Sequence, residues 1–343
     1  MGDSELMHDL PLVTVIMPVR NEAAFIDQSL GAVLTQDYSP ERMEVLVVDG
    51  RSTDATRERV AELAKWRPEV ALSVIDNPRG IVATGLNAGL AQAQGEVIVR
   101  VDGHTIIAPD YVRQSVAAIE RTKADNVGGR MAAVGGGRLG QAVALATSSR
   151  FGVGNARFHY SDEEEWVDTV YLGSWPRGVF ERVGLFDEEQ VRNQDDEFNY
   201  RLRARGGRIL LCPLIKSQYH NRATLGSLWR QYLQYGYWKV RVMQKHLRQM
   251  RLRQFAPALF VSALVASLLA APWSIAGRWA LGGLLATYMA ANLAASIMVA
   301  AKGGWRMLPL LPVVFATLHV AYGVGFLGGL IRFWNRWGVS DGV

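Results

Sequence analysis

"VTVIMPVRNE" occupies residues 13–22, and its reading decides the fold. The apolar run 12–17 reads as a strand buried on both faces, with a helix following from Glu22 to about Leu34. The same unit returns three times. "EVLVVD" (44–49) leads to a helix near 54–65, "ALSVID" (71–76) to one near 82–93, and "EVIVRVD" (96–102) to one near 109–121. Repeated strand–helix units imply an α/β fold: a Rossmann-like, mainly parallel sheet covered on both faces. Ligands of such sheets sit in the crevice beyond the carboxyl ends of the strands. The polar residues at those ends are therefore site candidates: Arg20, Asn21 and Glu22, then Asp49, then Asp76 and Asn77, then Asp102 and His104.

Charge divides the 343 residues unevenly. Residues 1–197 hold 19 Lys/Arg against 31 Asp/Glu, whereas residues 198–340 hold 18 Lys/Arg and no acid. The basic half is also the most apolar, so its charge points to a membrane, and an acidic first half would repel nucleic acid. Three apolar runs, about 255–277, 279–301 and 308–331, are each long enough to cross a hydrocarbon core of roughly 30 Å. Six Lys/Arg between Lys239 and Arg253 place the side before the first run in the cytoplasm, and Lys302 and Arg306 agree. Arg332 and Arg336 then face out against the rule, which leaves the third run a candidate re-entrant segment. "MGDSELMHDL" has no signal-peptide character, and the single Cys212 excludes an intramolecular disulfide. The expected organisation is a catalytic domain over 1–222, a basic amphipathic interfacial helix within 223–254, and three transmembrane helices in 255–343.

Between these parts, "GGRMAAVGGGR" (128–138) reads as strand and turn, since it lacks the spacing of a phosphate loop, and "SDEEEW" (161–166) as a solvated loop. "RNQDDEFNYRLR" (192–203) reads as a helix start, with acids at the positive end of the dipole and Glu197 one turn from Arg201.

Four pieces now stand in order: "VTVIMPVRNE", "VLVVDGRSTDAT" (45–56), "VRVDGHT" (99–105) and "RNQDDEFNYRLR". Together they resemble the family 2 glycosyltransferases, whose nucleotide-sugar-binding fold is called GT-A, over roughly residues 10–240. "FGVGNARF" (151–158), "DTVYLGSWPRGVFERVGLFDE" (168–188) and "QYLQYGYWK" (231–239) look most like the membrane-bound succinoglycan-type glucosyltransferases of bacteria.

The resemblance implies roles. The family's aspartate-any-aspartate motif falls on Asp102-Gly103-His104, assigning Asp102 to the ribose and metal and His104 to the metal. A divalent cation, Mn2+ or Mg2+, is implied, and imidazole in place of the usual carboxylate suits manganese better. Pro18, Arg20, Glu22, Asp49, Arg79 and Asn87 complete the expected donor site: Asp49 on the base, Arg79 on base or diphosphate, and Asn87 bracing the metal motif. The family's E-D-x-E-L-x-x-R motif is here Gln194-Asp195-Asp196-Glu197-Phe198-Asn199-Tyr200-Arg201, which makes Asp195 the general base. A carboxylate of ordinary pKa would already serve at neutral pH. Gly173, Ser174, Trp175 and Arg177, with Gln194, Asp196 and Trp238, form the expected acceptor side, Trp175 offering a face to a sugar ring.

The implied activity is transfer of a hexose, glucose first, from a UDP-sugar onto a polyprenyl-linked saccharide, by a multi-pass inner-membrane enzyme with its catalytic domain in the cytoplasm. The alternatives are a polyprenyl-phosphate sugar synthase, a processive synthase and a non-catalytic sensor of nucleotide-sugars. Asp195 separates the first, because a phosphate acceptor needs no base.

Overall fold

The computed structural model describes residues 10–222, 224–250 and 252–337. The chain opens with β1 (Val13–Val19), α1 (Ile26–Leu34), β2 (Met43–Asp49) and α2 (Thr56–Trp66). There follow β3 (Ala71–Asp76), α3 (Val82–Gln92), β4 (Val97–Arg100), β5 (Thr105–Ile107), α4 (Tyr111–Thr122) and β6 (Asn126–Val134). The middle holds α5 (Gly137–Thr147), α6 (Arg150–Val153), β7 (Glu165–Val167), β8 (Ser174–Pro176), α7 (Gly178–Val183), α8 (Gln194–Ala204) and β9 (Ile209–His220). Four helices end the chain: α9 (Leu225–Lys245), α10 (Ala256–Ala270), α11 (Ile275–Gly303) and α12 (Leu311–Arg332). Two compact units result, residues 1–132 with 160–219, and residues 133–159 with 220–343.

The first unit is built on a sheet ordered β3-β2-β1-β4-β8-β6-β9-β5, with β7 also on β9. The pairs β1–β2, β1–β4 and β2–β3 are parallel, as the four strand–helix repeats require. Because β1 lies between β2 and β4, the winding reverses beside it, the place where such sheets bind ligands beyond the carboxyl ends of their strands. Beyond β4 the sheet turns antiparallel through β8, and β5 and β7 pair antiparallel with β9. One sequence expectation changes here, and the strand-and-turn reading of 128–138 is met. Residues 165–167 of the "SDEEEW" region form β7, which pairs antiparallel with the start of β9, Glu165 opposite Leu211. The glycines at 135–137 end a strand and start α5, a helix that their composition hid.

Alternation along β1 supplies two cores. Val13, Val15 and Met17 join Ile26, Leu30 and Val33 of α1 on one face, all buried. Ile16 points to the other face, where α3 approaches so closely that a Cβ at Gly89 would lie 2.6 Å from Ile16 Cγ2. Each buried side chain of this size contributes roughly 1.5–3 kcal/mol, so the strand alternation alone docks both helix layers.

In the second unit, α9 starts with a capping box, Thr224 Oγ1 accepting the Ser227 N–H at 3.1 Å. It lies lengthwise on α12. Gly236 comes against the Tyr322 carbonyl, Gly325 against that of Leu233, and Gly329 against that of Tyr237. Glycine at these positions lets the two backbones touch, as in close helix pairs within lipid.

The three expected spans also need correction. Helices α11 and α12, of 29 and 22 residues, are long and apolar enough to cross a membrane. The first apolar run is not one helix: α10 has only 15 residues, which at 1.5 Å per residue is about 22 Å. Pro272, which has no amide proton, follows its end, and Ser274 Oγ starts α11 by accepting the Gly277 N–H at 3.3 Å.

Gly325→Leu, which drives a side chain into the Leu233 carbonyl, should cost about 1–3 kcal/mol. Thermal unfolding of the detergent-purified protein should show the loss, with Gly282→Leu, which meets open space, as the control.

Candidate active site

The loops after β1 and β2 are fastened to each other. Asn21 N–H donates to Ser52 Oγ at 2.9 Å, Thr53 N–H to Asn21 Oδ1 at 2.8 Å, and Glu22 N–H to Thr56 Oγ1 at 2.8 Å. This holds Asn21 and Arg51 at φ 55° and 62°, in the left-handed region that side chains avoid. Leu172 and Asn193 share that conformation, one before Gly173 and one before Gln194. Strained backbone thus flanks four groups of predicted site residues, a distribution typical of functional sites.

Asp49 is buried at the end of β2; its carboxylate accepts the Ser52 N–H at 3.2 Å and lies 3.7 Å from Arg57. Pro18 stays within β1, opposite Val48. Arg20 is exposed, its Nη1 3.4 Å from the Gly80 carbonyl.

The sequence reading passed over Arg100. It is buried, and its guanidinium grips Asp102 with two bonds, Nε to Oδ1 at 2.8 Å and Nη2 to Oδ2 at 3.1 Å. One signal was available. An arginine inside an apolar strand, two residues before an aspartate, shares a face with it. Burial opposes the charge on Arg100, but Asp102 and Asp195 more than offset it, so its proton is held more firmly than usual. Next to this pair the Tyr171 hydroxyl meets Thr105 Oγ1 at 2.5 Å, and burial, then Asp102, keep it protonated.

His104 presents its Nδ1 to Glu22 Oε1 at 2.9 Å. Among the described residues no three His, Cys, Asp or Glu side chains form a metal-ligand set by themselves. Asp102 and His104, partly exposed two residues apart, supply one carboxylate and one imidazole. That pair fits a divalent cation whose other positions are filled by diphosphate oxygens and water.

Helix α8 carries the acidic motif at its first turn, and buried Gln194 begins it. Glu197 is buried and takes two bonds from Arg201, at 2.8 and 2.9 Å, while Arg201 also donates to the carbonyls of Val183 and Leu185. Asp195 and Asp196 are the other two carboxylates of the first turn. Burial pushes the Asp195 carboxyl above its ordinary range, Asp196 adds to the rise, and Arg100 partly opposes it. The expected ordinary pKa is therefore corrected upward.

Other predicted residues have different surroundings. Asn87 bonds the backbone of Phe186 in both directions at 2.9 Å and not the metal motif, so it braces the 186–188 loop. Arg79 pairs with Glu188 of that loop. The Gly173 carbonyl accepts the Arg100 N–H at 3.1 Å, and Ser174 is fully buried. Trp175 is only 2 % exposed, its ring edge-on to Phe180, Phe186 and Phe198; these phenylalanines fill the space that a sugar ring was expected to take. Arg177 spends its guanidinium on the Ala93 carbonyl. Trp238 belongs to the C-terminal helices, beside Tyr237 and Phe333.

A sheet that is parallel up to β4 and antiparallel beyond it, with Asp49, Asp102 and His104 at or just after the strand ends, has the GT-A fold. Residues 14–172 match the family model described as glycosyl transferase family 2, the family whose motifs this chain resembles. It is 29 % identical over 324 residues to the succinoglycan biosynthesis protein ExoA of Rhizobium meliloti (strain 1021), covering 94 % of this chain and 96 % of that protein. A second relative, 25 % identical over 93 % of this chain and 97 % of its own length, is the dolichyl N-acetyl-alpha-D-glucosaminyl phosphate 3-beta-D-2,3-diacetamido-2,3-dideoxy-beta-D-glucuronosyltransferase of Methanococcus voltae. Among solved structures, mannosyltransferase PcManGT from Pyrobaculum calidifontis, in complex with GDP-Man and Mn2+, shares the fold at TM-score 0.58. It is 23 % identical, covering 92 % of this chain and 87 % of that one. S. aureus TarS 1–349 in complex with UDP aligns at TM-score 0.52 and 20 % identity, covering 96 % and 94 %.

Replacing Arg201 by Met strands the buried Glu197 charge and should destabilise the protein by about 3–5 kcal/mol. Chemical denaturation of the variant should reveal it, and Glu197→Gln in the same background should recover part of the loss.

Proposed function

We propose that this enzyme moves a hexose, glucose first among candidates, from a UDP-sugar onto a polyprenyl-phosphate-linked or polyprenyl-diphosphate-linked saccharide, with inversion at C1. The observation that carries the reading is the partly buried Asp195 carboxylate at the start of α8, electrostatically coupled to the Arg100–Asp102 pair. The functions of two relatives matched over nearly their whole length, succinoglycan biosynthesis and transfer onto a dolichyl-linked sugar, support an acceptor of this class. Helices α11 and α12 would hold the enzyme in the inner membrane, with the transferase domain on the cytoplasmic side where nucleotide-sugars are made.

In this reading Asp49 would accept a base N–H, and Arg20 would border the diphosphate. Asp102 and His104 would hold the divalent cation, which when bound neutralises charge on the departing diphosphate. Arg100 fixes the Asp102 carboxylate from behind, so that it meets the donor in one orientation. Asp195 would take the proton of the acceptor hydroxyl as that oxygen attacks C1 opposite the leaving group. The C1–O bond to the diphosphate then breaks, giving the glycoside and UDP. Asp196 raises the basicity of Asp195, and Gln194 in place of a second acid keeps the pair from becoming more negative still.

Asp195→Asn should cut turnover by about 10²–10⁴-fold, the usual worth of a positioned base. UDP release by the purified protein, with a panel of UDP-hexoses and bacterial lipid extract, measures it. Near-normal turnover in a folded variant would sink the assignment, and would favour an acceptor that is itself a phosphate.

The pH profile gives an independent check. A base must be deprotonated, so activity should fall as pH drops through the raised Asp195 pKa, with the acid limb above the ordinary aspartate value of about 3.9. Asp196→Asn removes a neighbouring negative charge and should move that limb to lower pH. A limb that stays put would mean that another group sets it.

A further inference from the structure

Glu22 and His104 are 82 residues apart in sequence, yet the carboxylate Oε1 of one meets the imidazole Nδ1 of the other at 2.9 Å. Both are held in place. The Glu22 N–H donates to Thr56 Oγ1 at 2.8 Å, and its carbonyl accepts the amides of Phe25 and Ile26, each at 2.8 Å. His104 sets its ring edge-on to Tyr219, centroids 5.3 Å apart. Between them stands Gly103, where a Cβ would lie 2.8 Å from Glu22 Cγ. Any side chain there would push Glu22 off the histidine, so the middle residue of the motif is restricted by this contact.

A carboxylate accepts only from a protonated nitrogen, so this contact selects the Nδ1–H form of the neutral ring and leaves the lone pair on Nε2. Histidines that bind metals are commonly fixed this way, their second nitrogen donating to a carboxylate that orients the ring and raises its basicity. The Arg100–Asp102 pair gives the neighbouring carboxylate a fixed pose by other means. Both potential ligands would then be oriented before a nucleotide arrives.

We propose that Glu22 is a positioning residue which holds His104 in the Nδ1–H tautomer, so that Nε2 becomes the nitrogen ligand of the divalent cation entering with the nucleotide diphosphate. The proposal rests on the transferase reading above. It gives Glu22 a task different from bordering the ribose, and it makes the site prefer Mn2+ over Mg2+ through the softer imidazole.

The experiment titrates Mn2+ into the full-length detergent-purified protein with saturating UDP, following the free ion by electron paramagnetic resonance. Pulsed measurements on the bound ion report nitrogen coupling, and UDP binding without metal is measured in parallel. Wild type should show a coupled nitrogen, and His104→Asp should bind Mn2+ without it. Glu22→Ala should weaken Mn2+ binding about 10–100-fold, the usual effect of losing such a partner, while metal-free UDP binding stays as in wild type. Glu22→Gln, whose amide oxygen still accepts from Nδ1, should recover part of the affinity. Absence of nitrogen coupling in wild type, or Mn2+ binding by Glu22→Ala equal to wild type, overturns the proposal and leaves the transferase reading standing. Loss of metal-free UDP binding in Glu22→Ala also overturns it, assigning Glu22 to the nucleotide itself. A wild-type protein that binds neither UDP nor Mn2+ overturns both.

Discussion

The site depends on the two parallel ladders of β1. Its pairing with β2 sets Val19 opposite Asp49, and its pairing with β4 sets Ile16 opposite Arg100, so that the three strands end along one edge. Every donor-side candidate except Arg79 and Asn87 lies on those strands or directly after them. A slip of one residue in either ladder would turn Asp49 or Arg100 to the opposite face. The apolar alternation of β1, filled by α1 on one side and α3 on the other, is what forbids that slip.

Charge in the crevice is arranged as pairs with unequal roles. Arg100 with Asp102, and Arg201 with Glu197, are bidentate and largely buried, geometry in which an ion pair fixes orientation more than it adds stability. Among the described residues Asp195 has no such paired cation; Arg100 acts on it through space, and burial and Asp196 act the other way. A base needs that arrangement. A carboxylate locked into a salt bridge is a poor proton acceptor, whereas one that is partly desolvated beside a second acid is a better one. Arg201 meanwhile ties α8 to the 183–185 turn, which keeps the helix start where the strand-end residues are.

The helical unit has another chemistry. Residues 133–159 and 220–340 contain no Asp or Glu. Exposed tryptophans stand near the ends of the long helices, with Trp273 and Trp279 about the start of α11, Trp305 after its end and Trp334 after α12. Apolar helices flanked by tryptophan and cationic residues suit a bilayer interface. The glycine contacts between α9 and α12 supply the close packing that apolar surroundings reward.

Periodicity and end-residue chemistry were enough to read the first half of the chain. The four strand–helix repeats, the crevice edge and the acidic start of α8 were legible in the sequence, because a buried parallel strand must be apolar throughout and its first polar residue marks its end. The family motifs added the roles proposed for Asp102, His104 and Asp195. What only the folded chain decided were contacts between segments with no common period. Glu22 reaches His104, Arg100 holds Asp102, Glu188 meets Arg79 and Asn87, and three phenylalanines close over Trp175. No local pattern encodes these partners, since a side chain's neighbour across the sheet depends on strand order, and strand order is settled by packing. The same holds for the helices. Composition marked three apolar runs, but whether a run stays one helix depended on Pro272 and the cap at Ser274, and whether α9 lay alone depended on which glycines faced it.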